Sequence, residues 1–186
     1  VAPPVPGAGA SHGAIALVLP VTVSAGSGYD WVRLGLMDLI GARLRAAGLA
    51  VVPSDNVVAL TGRLADDANP DAIARAAGAT LVIEPYAESI EGRWRVTLKT
   101  TRGRDPPLSA TGESADVLAA ARSAADDLAR QLGHAPVASA SADDDPLALA
   151  RLSQEIEAAR LNDRLDTARA LLASATPGQR EQPELR

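Results

Sequence analysis

Residues 28–53, G-Y-D-W-V-R-L-G-L-M-D-L-I-G-A-R-L-R-A-A-G-L-A-V-V-P, decide the fold of this chain. Apolar side chains recur there at three- and four-residue spacing, which predicts an amphipathic helix whose buried stripe is Val32, Leu36, Leu39, Ile40, Leu44 and Ala47. We expect Asp30 to cap the start of this helix and Gly48 to end it in the left-handed conformation. The apolar run 49–52 follows at once, so a long helix leads directly into a buried strand.

The residues before this helix supply a strand with which that run should pair. Residues 14–19, A-I-A-L-V-L, are too continuously apolar for an edge strand with one face in water. A strand, a helix and a second strand in this order form one unit of an α/β fold. We therefore predict an α/β fold with a mixed sheet of about five strands in the order β-α-β-α-β-β-β-α, flanked by helices.

Two short helices and a third strand are expected next. Ser54 and Asp55 are suitable caps for a helix that ends near residue 60. Asn69 followed by a proline predicts the start of another helix, which Gly78 should stop. Residues 80–86, T-L-V-I-E-P-Y, read as the third strand.

A β-hairpin and an edge strand follow. Residues 93–101 alternate, and the turn at residues 91–92 joins them to the third strand as an antiparallel pair. Residues 108–112 are a further, edge strand. The inward face of the alternating strand should carry Trp94, Val96 and Leu98, and its outer face Arg93, Arg95, Thr97 and Lys99.

The last third of the chain is predicted to be helical. We expect Ser114 to cap a helix that runs to about Leu132 and ends at Gly133. A turn at residues 162–163 then separates two further apolar stripes, which indicates a C-terminal helical hairpin. One helix pair alone buries little surface and therefore needs neighbours, as the units of tandem helical repeats do when they stack to share a core. The two stripes are Leu149, Leu152, Ile156 and Ala159, then Leu165, Ala168, Leu171 and Leu172.

Composition divides the chain into four segments and excludes several classes of function. Residues 1–13 and 134–145 read as linkers, residues 14–133 as the α/β domain and residues 146–186 as the helical hairpin. The net charge of −5 argues against nucleic-acid binding by this segment. The absence of cysteine removes disulfides, thiolate zinc sites and cysteine nucleophiles. No stretch reaches membrane-spanning length, and no signal peptide is present. Because the chain starts at Val1 with a Pro-rich linker and ends in an unfinished helical region, we expect a piece of a longer protein.

The sequence offers no convincing catalytic or metal-binding set. His12 and His134 both fall in predicted linkers, which makes a Ser-His-Asp triad or a histidine metal site improbable. Ser11 lies in G-A-S-H-G, but a nucleophile elbow requires a strand before it and a helix after it. We predict no catalytic residue, no cofactor and no metal. The remaining acidic groups read as solvated caps, loops or linker: Asp66, Asp67 and Asp71, then Asp143, Asp144 and Asp145.

Two patches remain as candidate sites. Trp31 in the first turn of the long helix, beside Tyr29 and near Arg33, would suit a protein contact, although a place at the rim of the core is the favoured interpretation. A possible ligand cleft combines Glu84 on a central strand with a loop before the helix, whose backbone N–H groups could face an anion. A flexible loop is the favoured interpretation of that segment, which consists of Gly26, Ser27 and Gly28.

The order of these elements resembles the TolB-amino-terminal-like α/β domain. The resemblance rests on a first strand ending near Pro20, a helix carrying Gly35 between apolar residues, and A-G-A at residues 77–79 before the third strand. It covers about residues 14–133. One departure is the absence of phenylalanine, because the family's first strand often ends in Pro-Phe and here Val21 follows the proline. No catalytic motif belongs to that domain, so the resemblance implies no site residues.

More narrowly, D-W-V-R-L-G-L-M-D-L-I and G-L-A-V-V-P-S-D-N-V resemble the extracytoplasmic part of CadC/ToxR-type winged-helix regulators. The resemblance implies a non-enzymatic periplasmic sensor domain of a membrane-anchored transcriptional regulator. It further implies protein contacts or self-association, an upstream membrane anchor, and a tail that begins tetratricopeptide-like repeats. The expected location is the periplasmic side of the bacterial inner membrane, with a cytoplasmic location left open.

Two other functions are kept as alternatives. The first is a domain that binds a small ligand or a nucleotide, through the glycine-containing loop and Glu84. The second is a periplasmic scaffold that acts through its helical repeats alone.

Overall fold

The chain forms a mixed sheet with helices packed on it. A computed structural model describes residues 14–24, 29, 31–63, 69–136 and 146–175. Of these, residues 63 and 146–149 are described by their backbone alone. Within that part, the elements are β1 (Ile15–Val18), β2 (Thr22–Ser24), α1 (Val32–Ala46), β3 (Ala50–Val51), α2 (Ser54–Arg63), α3 (Pro70–Ala77), β4 (Leu81–Ile90), β5 (Arg93–Thr101), β6 (Ser109–Ser114), α4 (Val117–Gln131), α5 (Pro146–Leu161) and α6 (Leu165–Ser174).

The sheet confirms the α/β fold class and its mixed character. The strand order is β3-β1-β4-β5-β6, with β1 parallel to both neighbours and β4, β5 and β6 antiparallel. The central place of β1 agrees with its continuously apolar sequence. A sixth strand, β2, was not predicted, and it pairs in parallel with the outer half of β4 from Thr22 opposite Tyr86. Three residues are too few to show a hydrophobic period.

The predicted β-hairpin is present between β4 and β5. Glu91 and Gly92 have φ values of 50° and 77°, as a two-residue turn of the hairpin type requires. On β5, the side chains of Trp94, Val96 and Leu98 are buried, as their alternation predicted.

Helix α1 is buried over more of its circumference than its stripe predicted. Leu34 and Met37, which lie off the predicted stripe, are both buried, because α1 packs against α4 and also against α5. Trp31 stands just before the helix without a side-chain cap, and Asp30 lies outside the described residues. Gly48 follows the helix with φ +94°, in the left-handed region as expected.

Two predicted helix caps were wrong and one was confirmed. Ser54 is already the first residue of α2, and its hydroxyl donates to the Asp38 carboxylate at 2.8 Å. Ser114 ends β6, because the strand continues far enough to pair with β5, and Asp116 caps α4 instead. Asn69 does cap α3, where its side-chain oxygen accepts the Asp71 N–H at 2.9 Å.

The helical hairpin is present, and its first helix is joined to the core. Helix α5 packs against α1, and Ala158 and Leu161 belong to the same buried cluster as the sheet. The turn after α5 includes Asp163 at φ 57°, and α6 then runs back beside α5. The division into a separate domain and tail stays a prediction.

Candidate functional site

Trp31 lies at the contact between α1 and the helical hairpin. The indole ring is half-buried, and the guanidinium carbon of Arg151 on α5 lies 5.7 Å from its centroid. A cation over a tryptophan face at this distance is an attractive contact. Trp31 therefore lies between α1 and α5 and has part of its surface covered.

Gly35 lets α5 approach this part of α1. A Cβ atom added at Gly35 would lie 3.0 Å from Cε3 of Trp31 and 3.1 Å from the carbonyl oxygen of Gln154. Both distances are shorter than ordinary van der Waals contact. The glycine that the TolB-like resemblance singles out thus lies where the backbone of α5 comes close to α1.

The same contact contains polar atoms without partners. Within the described residues, Nε1 of Trp31 and Oε1 of Gln154 are buried and make no hydrogen bond. One is a donor and the other an acceptor. Beside them lies an open cavity of about 250 Å³, lined by Trp31, Glu155, Ala158, Ala159, Asn162, Arg164, Thr167 and Leu171.

Tyr29 and Arg33, the other members of the predicted contact patch, have different neighbours. Tyr29 is 37% exposed and packs edge-on against Trp94, with ring centroids 4.9 Å apart. Arg33 is exposed on α1, and its carbonyl accepts the Val21 N–H at 3.0 Å. Tyr29 thus contacts the β-hairpin, whereas Trp31 contacts α5.

The predicted ligand cleft is described only at Glu84. Its other members, Gly26, Ser27 and Gly28, lie outside the described residues. Glu84 is half-buried on β4 and stands opposite Lys99 in the register of the sheet. The Lys99 ammonium lies 5.1 Å from the centroid of the Tyr86 ring.

The remaining sequence candidates do not converge where they are described. His134 is half-buried just after α4, and its N–H donates to the Ala129 carbonyl at 2.8 Å. Asp71 lies in the first turn of α3. Outside the described residues lie His12, Ser11, Asp66, Asp67, Asp143, Asp144 and Asp145.

Metal-ligating side chains do not cluster in the part of the chain that the structure describes: no three His, Asp or Glu residues there are placed to share an ion. In the same part, no helix combines the length and the apolar character needed to cross a membrane.

An electrostatic cluster ties α5 to α1 and α2. Arg160 of α5 forms an ion pair with Asp55 at 3.0 Å and a hydrogen bond with Glu157 at 2.8 Å. Burial raises the pKa of the Asp38 carboxyl above its usual value; the hydrogen bond from Ser54 opposes this shift, and the charge of Glu157 adds to it. A partly desolvated carboxylate thus lies beside the ion pair that joins the helices.

Helix α6 leaves exposed part of the apolar stripe that the sequence predicted for the second helix of the hairpin. None of its residues is buried, and Leu165 and Leu172 are 48% and 38% exposed. Ala168 lies between them on the same face, half-buried. The stripe was visible in the sequence, but its exposure was not, because periodicity shows which face is apolar and not what covers it.

Comparison with known proteins leaves this architecture without an assigned family. No protein-family model matches the chain, and no curated protein matches it significantly. Among solved structures, the LpoB C-terminal domain from Salmonella enterica is similar with a TM-score of 0.41 and 15% identity, over 57% of this chain and 86% of that one. The PelC dodecamer from Paraburkholderia phytofirmans is similar with a TM-score of 0.39 and 16% identity, over 64% of this chain and 86% of that one. Both TM-scores are below 0.5, so neither likeness adds to the description of this fold.

Proposed function

We propose that this chain is a non-catalytic protein-interaction domain that associates with a second copy of itself through α6. The observation that carries the proposal is an apolar stripe on α6, with Leu165 and Leu172 exposed and the half-buried Ala168 between them. Its spacing of three and then four residues is that of a helix seam that packs against another helix.

A second copy fits this surface better than an unrelated occupant does. An interface about a twofold axis uses the same patch on both molecules, and a leucine–alanine–leucine stripe is complementary to itself. The small Ala168 at its centre allows two helices to approach closely. Asp166 and Arg169, which flank the stripe, pair with each other at 3.4 Å and are 101% and 78% exposed, so two copies related by a twofold axis can exchange this pair for pairs between the copies.

A role as a sensor region extends this proposal. The resemblance to CadC/ToxR-type regulators supports a periplasmic sensor region of a membrane-anchored protein, in which a change of self-association transmits the signal. A ten-residue helix presents a small interface, and a small interface suits reversible association rather than a permanent dimer.

The test is the oligomeric state of the chain as a function of concentration. We expect sedimentation equilibrium to show a monomer–dimer equilibrium for the wild type, and a monomer for the double variant Leu165→Glu/Leu172→Glu. Ile90→Glu is the matched control, because Ile90 is 45% exposed at the end of β4, away from α6. It should dimerise like the wild type.

Two results would overturn the proposal. One is a wild-type chain that stays monomeric at every concentration reached. The other is an equal loss of association in Ile90→Glu, which would point to non-specific hydrophobic contact. Circular dichroism spectra that match among the three proteins exclude unfolding as the cause.

A further inference from the structure

A cluster of arginines occupies a cleft between α1 and α4. Although the chain carries a net charge of −5, three of its 18 basic residues line one cavity of about 370 Å³. Arg43 comes from α1, and Arg122 and Arg130 from α4. The other lining residues are Ala119, Ser123 and Asp126.

The α4 side of the cleft is a single stripe of that helix. Its five residues follow at spacings of three, one, three and four positions, which places them on one face along three turns. The small side chains of Ala119 and Ser123 leave the space open between the arginines. Helix α4 is thus apolar toward the sheet and basic toward this cleft.

Arg43 is held in place by the one acidic group of the cleft. Its Nε and Nη2 atoms donate to Oδ1 and Oδ2 of Asp126 at 2.6 and 2.7 Å. The two side chains are only 13% and 20% exposed. A bidentate pair fixes the guanidinium plane, so Asp126 is engaged with Arg43.

Arg122 has no such partner. It is half-buried, and among the described residues no carboxylate lies within ion-pair distance of it. Burial lowers the pKa of its guanidinium, and the positive charge of Arg43 acts in the same direction, while Asp116 opposes them. A cation held in a partly desolvated place beside another cation is unfavourable unless an anion joins it.

We propose that the cleft formed by Arg43, Arg122 and Arg130 binds a phosphate group. Arg122 faces the anion as its principal donor, Arg43 is pre-oriented by Asp126, and Arg130 contributes from the rim. Arg130 is 58% exposed and pairs with Asp127 at 3.3 Å, so it remains accessible. Guanidinium groups arriving from two helices suit a dianion with several oxygens, which accepts hydrogen bonds from more than one direction.

The proposal is tested by calorimetric titration of the 186-residue chain with inorganic phosphate at constant ionic strength. Constant ionic strength matters because exposed charges are screened by salt. We expect binding by the wild type and a loss of about tenfold or more in affinity for Arg122→Gln, since a hydrogen bond between charged groups contributes about 1.5–3 kcal/mol.

Two further variants separate the cleft from general charge effects. Arg102→Gln removes the same charge from an exposed loop, where Arg102 faces Asp105 at 3.8 Å, and should bind phosphate like the wild type. Ser123→Glu places a carboxylate inside the cleft and should abolish binding even if Arg122→Gln fails to fold.

The source of the phosphate is distinguished by a second measurement. Cosedimentation with phosphatidylglycerol vesicles, but not phosphatidylcholine vesicles, that is lost in Arg122→Gln would identify a lipid headgroup. Binding of free phosphate without binding to vesicles would identify a small molecule. The proposal is overturned if neither probe binds, or if Arg102→Gln weakens binding as much as Arg122→Gln does.

Discussion

Helices α4 and α5 both contact α1, but α4 packs mainly on the sheet and α5 packs on α1, and the two packings differ. Helix α4 buries eight side chains, most of them alanines, and lies close to the sheet. Most of the α5 side chains that the structure describes are only half-buried, and the contact of α5 with α1 contains two buried polar atoms without partners among the described residues. The packing of α4 on the sheet is dense and apolar, and its contact with α1 adds the ion pair of Arg43 and Asp126. The packing of α5 on α1 is looser and partly polar.

This difference indicates which part of the molecule is the more stable one. Separating a close-packed apolar contact lowers the stability of the fold, because every displaced atom loses its packing partners. A contact that contains unsatisfied polar groups separates more readily, because those groups regain hydrogen bonds with water. We expect the sheet with α1 and α4 to be the stable body. The α5–α6 hairpin should open from it at lower cost, as the interaction regions of proteins often do.

The largest effect is expected where α4 meets the sheet. A Cβ atom at Gly112 of β6 would overlap the Ala120 carbonyl oxygen and lie 2.7 Å from the Ala124 backbone nitrogen. Neither backbone atom can move aside without displacing α4. Gly112→Ala should therefore lower the free energy of unfolding by about 3 kcal/mol or more, measured by urea denaturation.

Gly62→Ala is the control for this substitution. Gly62 lies in α2, and among the described residues no atom outside its chain neighbours and the adjacent helix backbone is within 4 Å of its added Cβ. Alanine there should stabilise the helix by roughly 0.5–1 kcal/mol. If Gly112→Ala unfolds at the same urea concentration as the wild type, then α4 does not pack densely on the sheet.

A smaller effect is expected where α5 meets α1. Alanine at a helix interior normally stabilises by up to about 1 kcal/mol relative to glycine. At Gly35 the new methyl group meets Trp31 and the Gln154 backbone, so we expect Gly35→Ala to lose about 1 kcal/mol instead. Limited proteolysis should cut residues 146–175 faster in this variant, because α5 is pushed away from α1.

Gly41→Ala is the matched control in the same helix. The nearest atoms to its added Cβ are 3.7 Å away, which is ordinary contact, so this variant should gain stability. If Gly35→Ala gains as much stability as Gly41→Ala, then α5 can move away from α1 without loss of stability. The contact between the two helices would then be looser than the distances indicate.

The comparison of the two contacts also shows how far the sequence leads. The apolar period of α1, the alternation on β5 and the capping signal at Asn69 predicted those elements, because each is a local pattern. The partners of a helix are not local. The sequence could not show that α5 would lie on α1, or that Leu165 and Leu172 would be left exposed.

The candidate sites divide in the same way. Trp31 stood out because aromatic residues make up only 2% of the chain. The arginine cleft went unrecognised, because Arg43 and Arg122 are 79 positions apart and an acidic chain gives no reason to look for a basic site. One signal was present: Arg122, Asp126 and Arg130 recur at four-residue spacing on a helix whose opposite face is apolar.

The smallest effect concerns Asp38, beside the ion pair that joins α5 to α2. Because burial raises its pKa in the folded state, the folded protein holds this proton more tightly than the unfolded chain does. Its contribution therefore favours folding at acidic pH and declines as the pH rises from the usual carboxyl value through the raised one. Asp38→Asn removes the penalty and still offers an oxygen to the Ser54 hydroxyl.

We expect Asp38→Asn to raise the Tm at neutral pH and to raise it less as the pH falls toward the usual carboxyl range. The other carboxyl groups are common to both proteins, so the difference in Tm isolates this group. Asp105→Asn, in the exposed turn before β6, is the control and should change the Tm little at any pH, because its contact with Arg102 spans 3.8 Å in solvent. A lower Tm for Asp38→Asn at neutral pH would mean that attraction to Arg45 and Arg160 outweighs desolvation, and the α5 contact would then be more firmly held than its unpaired atoms indicate.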